Sequence, residues 1–172
     1  MRNMFDLPAE KMHAARLNSN WLRSTGSSHW MAKIMLNKQQ NLLALVARVL
    51  IALIFLLSGL HKIGNFGSTS AYIASVGLPL PAAGTVLAIV IEVAGALALI
   101  FGFYTRAVAA IMAVFTVIAA VCFHNFWAMT GSAVAVNQIM FLKNISIAGG
   151  LLMLAVSGAG GLSLDSRRHS NS

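Results

Sequence analysis

Residues Ala82–Phe103 read AAGTVLAIVIEVAGALALIFGF, and the fold turns on them. The stretch is apolar on every side except at Glu92. An α-helix rises about 1.5 Å per residue, so this length crosses a hydrocarbon core of roughly 30 Å. Glu92 then falls near the midplane, where a bare charge costs a few kcal/mol. Such a residue is protonated, or neutralised by an ion pair, or used as a proton carrier or ligand contact. Its partner has to come from elsewhere in the chain.

The composition agrees with a membrane setting. The chain is 58% hydrophobic and 9% charged, with a mean hydropathy of +0.79. A water-soluble domain carries about a quarter charged residues. The formal net charge of +8 would suit a nucleic-acid binder, but the positions of the charges exclude that reading. Arg2, Lys11, Arg16, Arg23, Lys33 and Lys38 precede the first apolar run, and Arg167 and Arg168 follow the last. Basic tails of this kind face anionic lipid on the cytoplasmic side. Cys122 is the single cysteine, so an intrachain disulfide, a CxxC redox pair and a cysteine-rich metal site are excluded.

Outward from the central stretch, three more runs qualify as spans. Span one is expected over about 42–60, with Arg48 inside it and SGLHK (Ser58–Lys62) at its exit. Span three is expected over about 107–127, with His124 and Asn125 at its end. Span four is expected over about 138–156, with Lys143 and Asn144 in its first turns. The loop 63–81 is rich in Gly, Ser and Pro, ends in the turn signal GLPLP (Gly77–Pro81), and leaves room for a short interfacial helix over 70–76. Residues 102–106 form a tight turn, 130–137 an uncharged loop, and the tail is mobile beyond Asp165. Residues 1–41 form a basic leader. In it Pro8 opens a short helix with a weak stripe of Met12, Leu17 and Trp21, and STGSS at 24–28 breaks that helix. Trp30, Ile34 and Met35 suit a membrane-surface segment. No signal peptide is evident, and Met31 or Met35 is the expected translational start. The organisation is therefore a leader (1–41), a four-span domain (42–165) and a short tail (166–172).

The fold class is an all-α membrane protein, an antiparallel four-helix transmembrane bundle. Four spans put both termini on one side, and the positive-inside rule makes that side cytoplasmic. The polar residues then sort by depth. Arg48 and Glu92 both rise from the cytoplasmic side, and Arg forks onto a carboxylate as Lys cannot, so Arg48–Glu92 is the expected structural ion pair. The alternative for Arg48 is snorkelling to the cytoplasmic surface. Lys62, His124, Asn125, Gln138, Lys143 and Asn144 all fall in the outer half. They suit a polar pocket floored by Glu92, or else simple headgroup contacts. The set holds cations and hydrogen-bond donors beside a buried acid, which fits an apolar ring bearing oxygens, or a small anion. It has no metal-ligand spacing, and no covalently held cofactor is evident.

These residues resemble the DoxX family of small four-span membrane proteins of bacterial inner membranes. The likeness rests on Arg48, SGLHKI (Ser58–Ile63), GLPLP, EVAGALALIFGFYTR (Glu92–Arg106), HNF (His124–Phe126), QIMFLKNISIAGGLLML (Gln138–Leu154) and GAGGLSLD (Gly158–Asp165). It covers about 42–165. The resemblance marks Arg48, Lys62, Glu92, Arg106, His124, Lys143 and Asn144 as signature positions. It implies an oxidoreductase, or a subunit of one, concerned with quinones, catechols or thiols. On that reading Lys62, Lys143 and Asn144 bind substrate, Glu92 and His124 are the catalytic candidates, a quinone is the cofactor, and a soluble redox partner or a second copy of the chain is the partner beside the lipid bilayer. A small-molecule permease and a non-catalytic scaffold are the rivals.

Overall fold

The computed structural model describes the backbone of residues 9–169 and the side chains of 35–168. Six α-helices follow in order: α1 (Ala9–Gly64), α2 (Phe66–Ser75), α3 (Pro81–Phe101), α4 (Thr105–Phe123), α5 (Ala133–Ser157) and α6 (Leu164–His169), with a 3-10 turn at Phe126–Ala128 between α4 and α5. The chain divides into two compact units, Met1–Gln40 and Asn41–Ser172. The first is helical from Ala9 onward. Its backbone stays helical through 24–28, where a break was expected. Ser and Gly cost helices only some tenths to about 1 kcal/mol each, too little to end one by themselves. The side chains of Met12, Leu17, Trp21 and Trp30 lie outside those described.

The second unit holds all but the first few residues of the membrane-spanning segments. Four segments are long and apolar enough to span a bilayer: Met35–Gly64, Pro81–Phe101, Thr105–Ala128 and Ala133–Ser157. Short connections make successive helices antiparallel. Pro81 opens α3 at its first turn, where a missing N–H costs nothing. Gly102 ends the same helix in the left-handed region at φ 67°, the usual device for a helix C-terminus. A Cβ there would also overlap Ser163 and the Arg48 guanidinium. α5 begins at Ala133, several residues before the expected start, because the uncharged 133–137 stretch continues the helix.

The centre is built from small side chains. Ala52 and Phe55 of α1, Ala96 and Leu99 of α3, Ala109, Met112 and Ala113 of α4, and Leu151 and Leu154 of α5 form one buried cluster. In lipid, helices gain little from burying leucine, so association relies on close packing of small residues. Large apolar residues such as Leu50, Leu57, Val114, Ile139 and Met153 instead lie exposed on the outside of the bundle.

The end of the bundle that carries the C-terminal segment is closed by polar contacts. Arg48 is fully buried. Its guanidinium donates to the carbonyls of Ala159 and, at 2.6 Å, Leu162. Asn41 Oδ1 accepts from the Gly161 N–H at 2.8 Å. Asp165 opens α6, and its two carboxylate oxygens accept from the N–H groups of Tyr104 (2.8 Å) and Thr105 (2.9 Å). A residue sixty positions away thereby caps α4 and supports Tyr104, which sits in the left-handed region at φ 47°. Arg168 lies over the Tyr104 ring at 4.6 Å. The tail is thus structured through His169, where a mobile segment was expected after Asp165.

Partial burial opposes the Asp165 carboxylate, but the hydrogen bonds from Thr105 and Tyr104 and the nearby Arg168 charge outweigh it. The group is held below its ordinary value of 3.8. A depressed folded pKa means that the stabilisation is complete above 3.8 and is lost as pH falls through the folded value. Asp165→Ala should cost about 1 kcal/mol at neutral pH, as loss of a helix cap does. The difference from wild type should shrink in strongly acidic solution. Unfolding in detergent at the two pH values checks both.

Candidate functional site

Glu92 lies midway along α3 and is 6% exposed. Its partner is Lys62, near the end of α1. The Lys62 ammonium donates to both carboxylate oxygens, at 2.9 and 2.8 Å, and to Ser58 Oγ at 2.7 Å. The Lys62 and Glu92 side chains form a salt bridge at 2.8 Å. The expected Arg48–Glu92 pair does not form. Arg48 lies fourteen residues before Lys62, about 21 Å along α1, and spends its guanidinium on the carbonyls at the C-terminal end.

The register of α1 on α3 explains the choice. Gly59 faces Glu92 and Val93 so closely that a methyl group there would sit 2.6 Å from Val93 Cγ2 and 3.1 Å from Glu92 Cβ. Residue 59 is therefore level with Glu92, and Lys62 is one turn beyond. Helical side chains lean back toward the N-terminus of their own helix. Lys62 leans back to the level of Ser58 and Gly59, where the carboxylate waits.

The pair lines a cavity of about 690 Å³. The residues expected to bind substrate or act catalytically border it: Lys62 from α1, Glu92 from α3, His124 at the end of α4, and Lys143 and Asn144 from α5; Asn125 and Gln138, also expected in the pocket, are not part of its lining. Arg48 does not border it either. Further polar residues join the lining that sequence reasoning did not place there, among them Ser58, Thr69, Tyr72, Thr116 and Cys122. Ser58 was accessible as the residue one turn before Lys62. Tyr72 arrives through α2, whose ring stacks on Phe123 at 5.4 Å, and no local pattern announces that.

The polar groups differ in how far they are already engaged. Lys62 uses all three ammonium donors, two on Glu92 and one on Ser58. His124 Nδ1 lies 3.1 Å from Asn137 Oδ1, and Asn137 Nδ2 donates to the Ala133 carbonyl at 3.0 Å. The second bond fixes the amide's orientation, so Oδ1 is the acceptor, Nδ1 carries the proton, and Nε2 is left as an acceptor. Among the described residues the one hydrogen bond of Lys143 is to the Met140 thioether, at 3.2 Å, a weak acceptor. The remaining wall is apolar and partly aromatic, with Phe55, Ile91, Phe115 and Phe123. Leu87, Ile111, Val114 and Ile118 border the cavity and are also exposed on the bundle's exterior, so it opens sideways between α3 and α4. Among the described residues no cluster of His, Cys, Asp or Glu is placed to hold a metal ion.

A four-span bundle with a buried Lys–Glu pair, and a cavity opening between two of its helices, defines a multi-pass membrane protein with an internal cavity lined by charged and polar side chains. The chain belongs to the DoxX family. Residues 43–125 match the DoxX family profile. The chain is 44% identical over 125 residues to the inner membrane protein YphA of Escherichia coli K12, a match covering 73% of this chain and 89% of YphA. It is 38% identical over 133 residues to the inner membrane protein YqjF of the same strain, covering 76% of this chain and 95% of YqjF. No solved structure matches the chain.

Proposed function

We propose that this inner-membrane DoxX protein binds a quinone-type ring in the cavity and serves as the quinone-handling subunit of an oxidoreductase. The observation that carries the reading is the division of labour among the polar groups. One acid–base pair, Lys62–Glu92, is closed on itself. One cation, Lys143, and one amide, Asn144, face the same space with donors to spare. Both donors suit carbonyl oxygens, and the aromatic, laterally open wall suits a flat lipophilic ring.

A bound quinone supplies two-electron chemistry coupled to uptake of two protons. Lys143 and Asn144 orient the ring oxygens. Glu92 is the sole acid in the spans and exchanges protons through its Lys62 contact. His124, its Nδ1–H held on Asn137, would take a proton from water at Nε2 at the loop end and then give that proton up in the second transfer. Electrons come from a soluble redox partner. Lys62 positions Glu92, since a ligand would reach it only by displacing Glu92 or Ser58.

The test is quinone binding and quinol formation in reconstituted membranes, with candidate reductase partners supplied. Lys143→Ala should weaken quinone binding about tenfold, the loss of one charge-assisted hydrogen bond. Glu92→Gln should keep binding and slow quinol formation by about a hundredfold, within the usual range for a general acid–base group. A wild-type protein that neither binds quinone nor alters its turnover would sink the reading. Protein-dependent uptake into vesicles would then favour a permease.

A further inference from the structure

The charges around the cavity do not cancel. The titratable groups facing it are Lys62 (α1), Tyr72 (α2), Glu92 (α3), Cys122 and His124 (α4 and its end) and Lys143 (α5). Lys62 and Glu92 neutralise each other in direct contact. Lys143 stands about 15 Å along α5 from its start, with a thioether as its one hydrogen-bond partner among the described residues. An ammonium at that depth gains more from an anion than from lipid tails. The cavity therefore presents one uncompensated positive charge inside an apolar, aromatic wall.

We infer that the cavity selects a lipophilic monoanion, a phenolate, whose oxyanion sits against the Lys143 ammonium while its ring lies between α3 and α4. The inference rests on the ring-binding reading and adds the charge state of the ligand. The wall argues for a ring: Phe55, Tyr72, Phe115 and Phe123 supply flat faces. The single surplus charge argues for one anionic oxygen, since two would leave the cavity net negative. The exposed lining at Leu87, Ile111, Val114 and Ile118 argues for entry from the bilayer in the neutral phenol form. On binding, the phenol O–H bond breaks, the electron pair stays on oxygen, and the proton is released to water. An opposite charge within a few ångströms favours the ionised form by about 1 to 3 pKa units, and the low dielectric of the cavity strengthens the attraction.

4-Nitrophenol is the probe, because its phenolate is coloured and its phenol is not. Purified protein in lipid nanodiscs is titrated with pH, and the apparent pKa of the bound probe is read by absorbance. Wild-type protein should lower that pKa by at least about one unit relative to Lys143→Met, and Lys143→Arg should retain the shift. Nitrobenzene, a neutral analogue, should lose much less affinity in Lys143→Met than 4-nitrophenolate does. Lys143 is exposed, and helical content confirms that each variant is folded; Lys143→Gln serves as a second neutral variant. A bound probe whose pKa in wild type equals that in the neutral variants overturns the inference. So does equal sensitivity of nitrobenzene to Lys143→Met. A neutral quinone is titrated in the same preparations. Quinone binding without a shift in the probe's pKa overturns the anion inference alone, whereas binding of neither ligand overturns the ring-binding reading as well.

Discussion

Lys62→Met should destabilise the bundle by about 3–5 kcal/mol, the largest single effect expected in this protein. The substitution removes the ammonium that contacts both oxygens of a carboxylate only 6% exposed. Glu92 then either keeps a buried, unpaired charge or takes up a proton, and both states are costly. Lys62→Met combined with Glu92→Gln should recover most of the loss, because the charge and its partner vanish together. A double-mutant cycle read by unfolding in detergent gives the coupling energy. Arg48 supplies the control. Arg48→Met and Glu92→Gln should be additive, since the two residues share no contact. Strong coupling between Arg48 and Glu92, with none between Lys62 and Glu92, would show that the ion pair is assigned to the wrong cation.

Arg48→Met should cost about 3 kcal/mol and release the C-terminal segment. The guanidinium bonds the Ala159 and Leu162 carbonyls, and hydrogen bonds to a charged donor each contribute about 1.5–3 kcal/mol. Their loss leaves two acceptors short of partners at a closed end of the bundle. The readout is local as well as global. Residues 158–163 should become open to added protease in Arg48→Met while the rest of the domain resists cleavage. Arg48→Lys should recover only part of the loss, because one ammonium cannot hold two carbonyls with the geometry of a planar fork. Equal protease resistance in wild type and Arg48→Met would remove Arg48 from its role as an anchor.

The two substitutions also show which parts of the structure were open to sequence reading. The four spans were legible because long apolar runs have few other physical outcomes. The gathering of Lys62, His124, Lys143 and Asn144 in one half was legible because antiparallel topology fixes depth. The partner of Glu92 was not. It depends on a sliding register between α1 and α3, set by the close approach at Gly59, and depth counted from helix ends cannot resolve one turn. The role of Asp165 was not legible either. Capping usually works within a few residues, whereas here the capped N–H groups are sixty positions away. The glycines of 158–161 signal mobility in isolation. They are held because Arg48 and Asn41 bind their neighbourhood. His124 was placed correctly at a helix end, but its tautomer depends on Asn137, which belongs to α5 and not to the loop expected there.

The contact between Arg48 and the C-terminal segment also has a history, because a chain is made from one end. Arg48 meets the bilayer early, yet the carbonyls that hold it belong to residues 111 and 114 positions later. During synthesis the first span carries an unsatisfied guanidinium. Its insertion is penalised by about 2.5–3.5 kcal/mol if the charge stays deep. The inexpensive course is for that span to ride high, its arginine among the headgroups, until the last span and the segment behind it emerge. Only then do the carbonyls arrive that let Arg48 withdraw from water. The Lys62–Glu92 contact, which needs that depth, is therefore expected to be completed late in biogenesis.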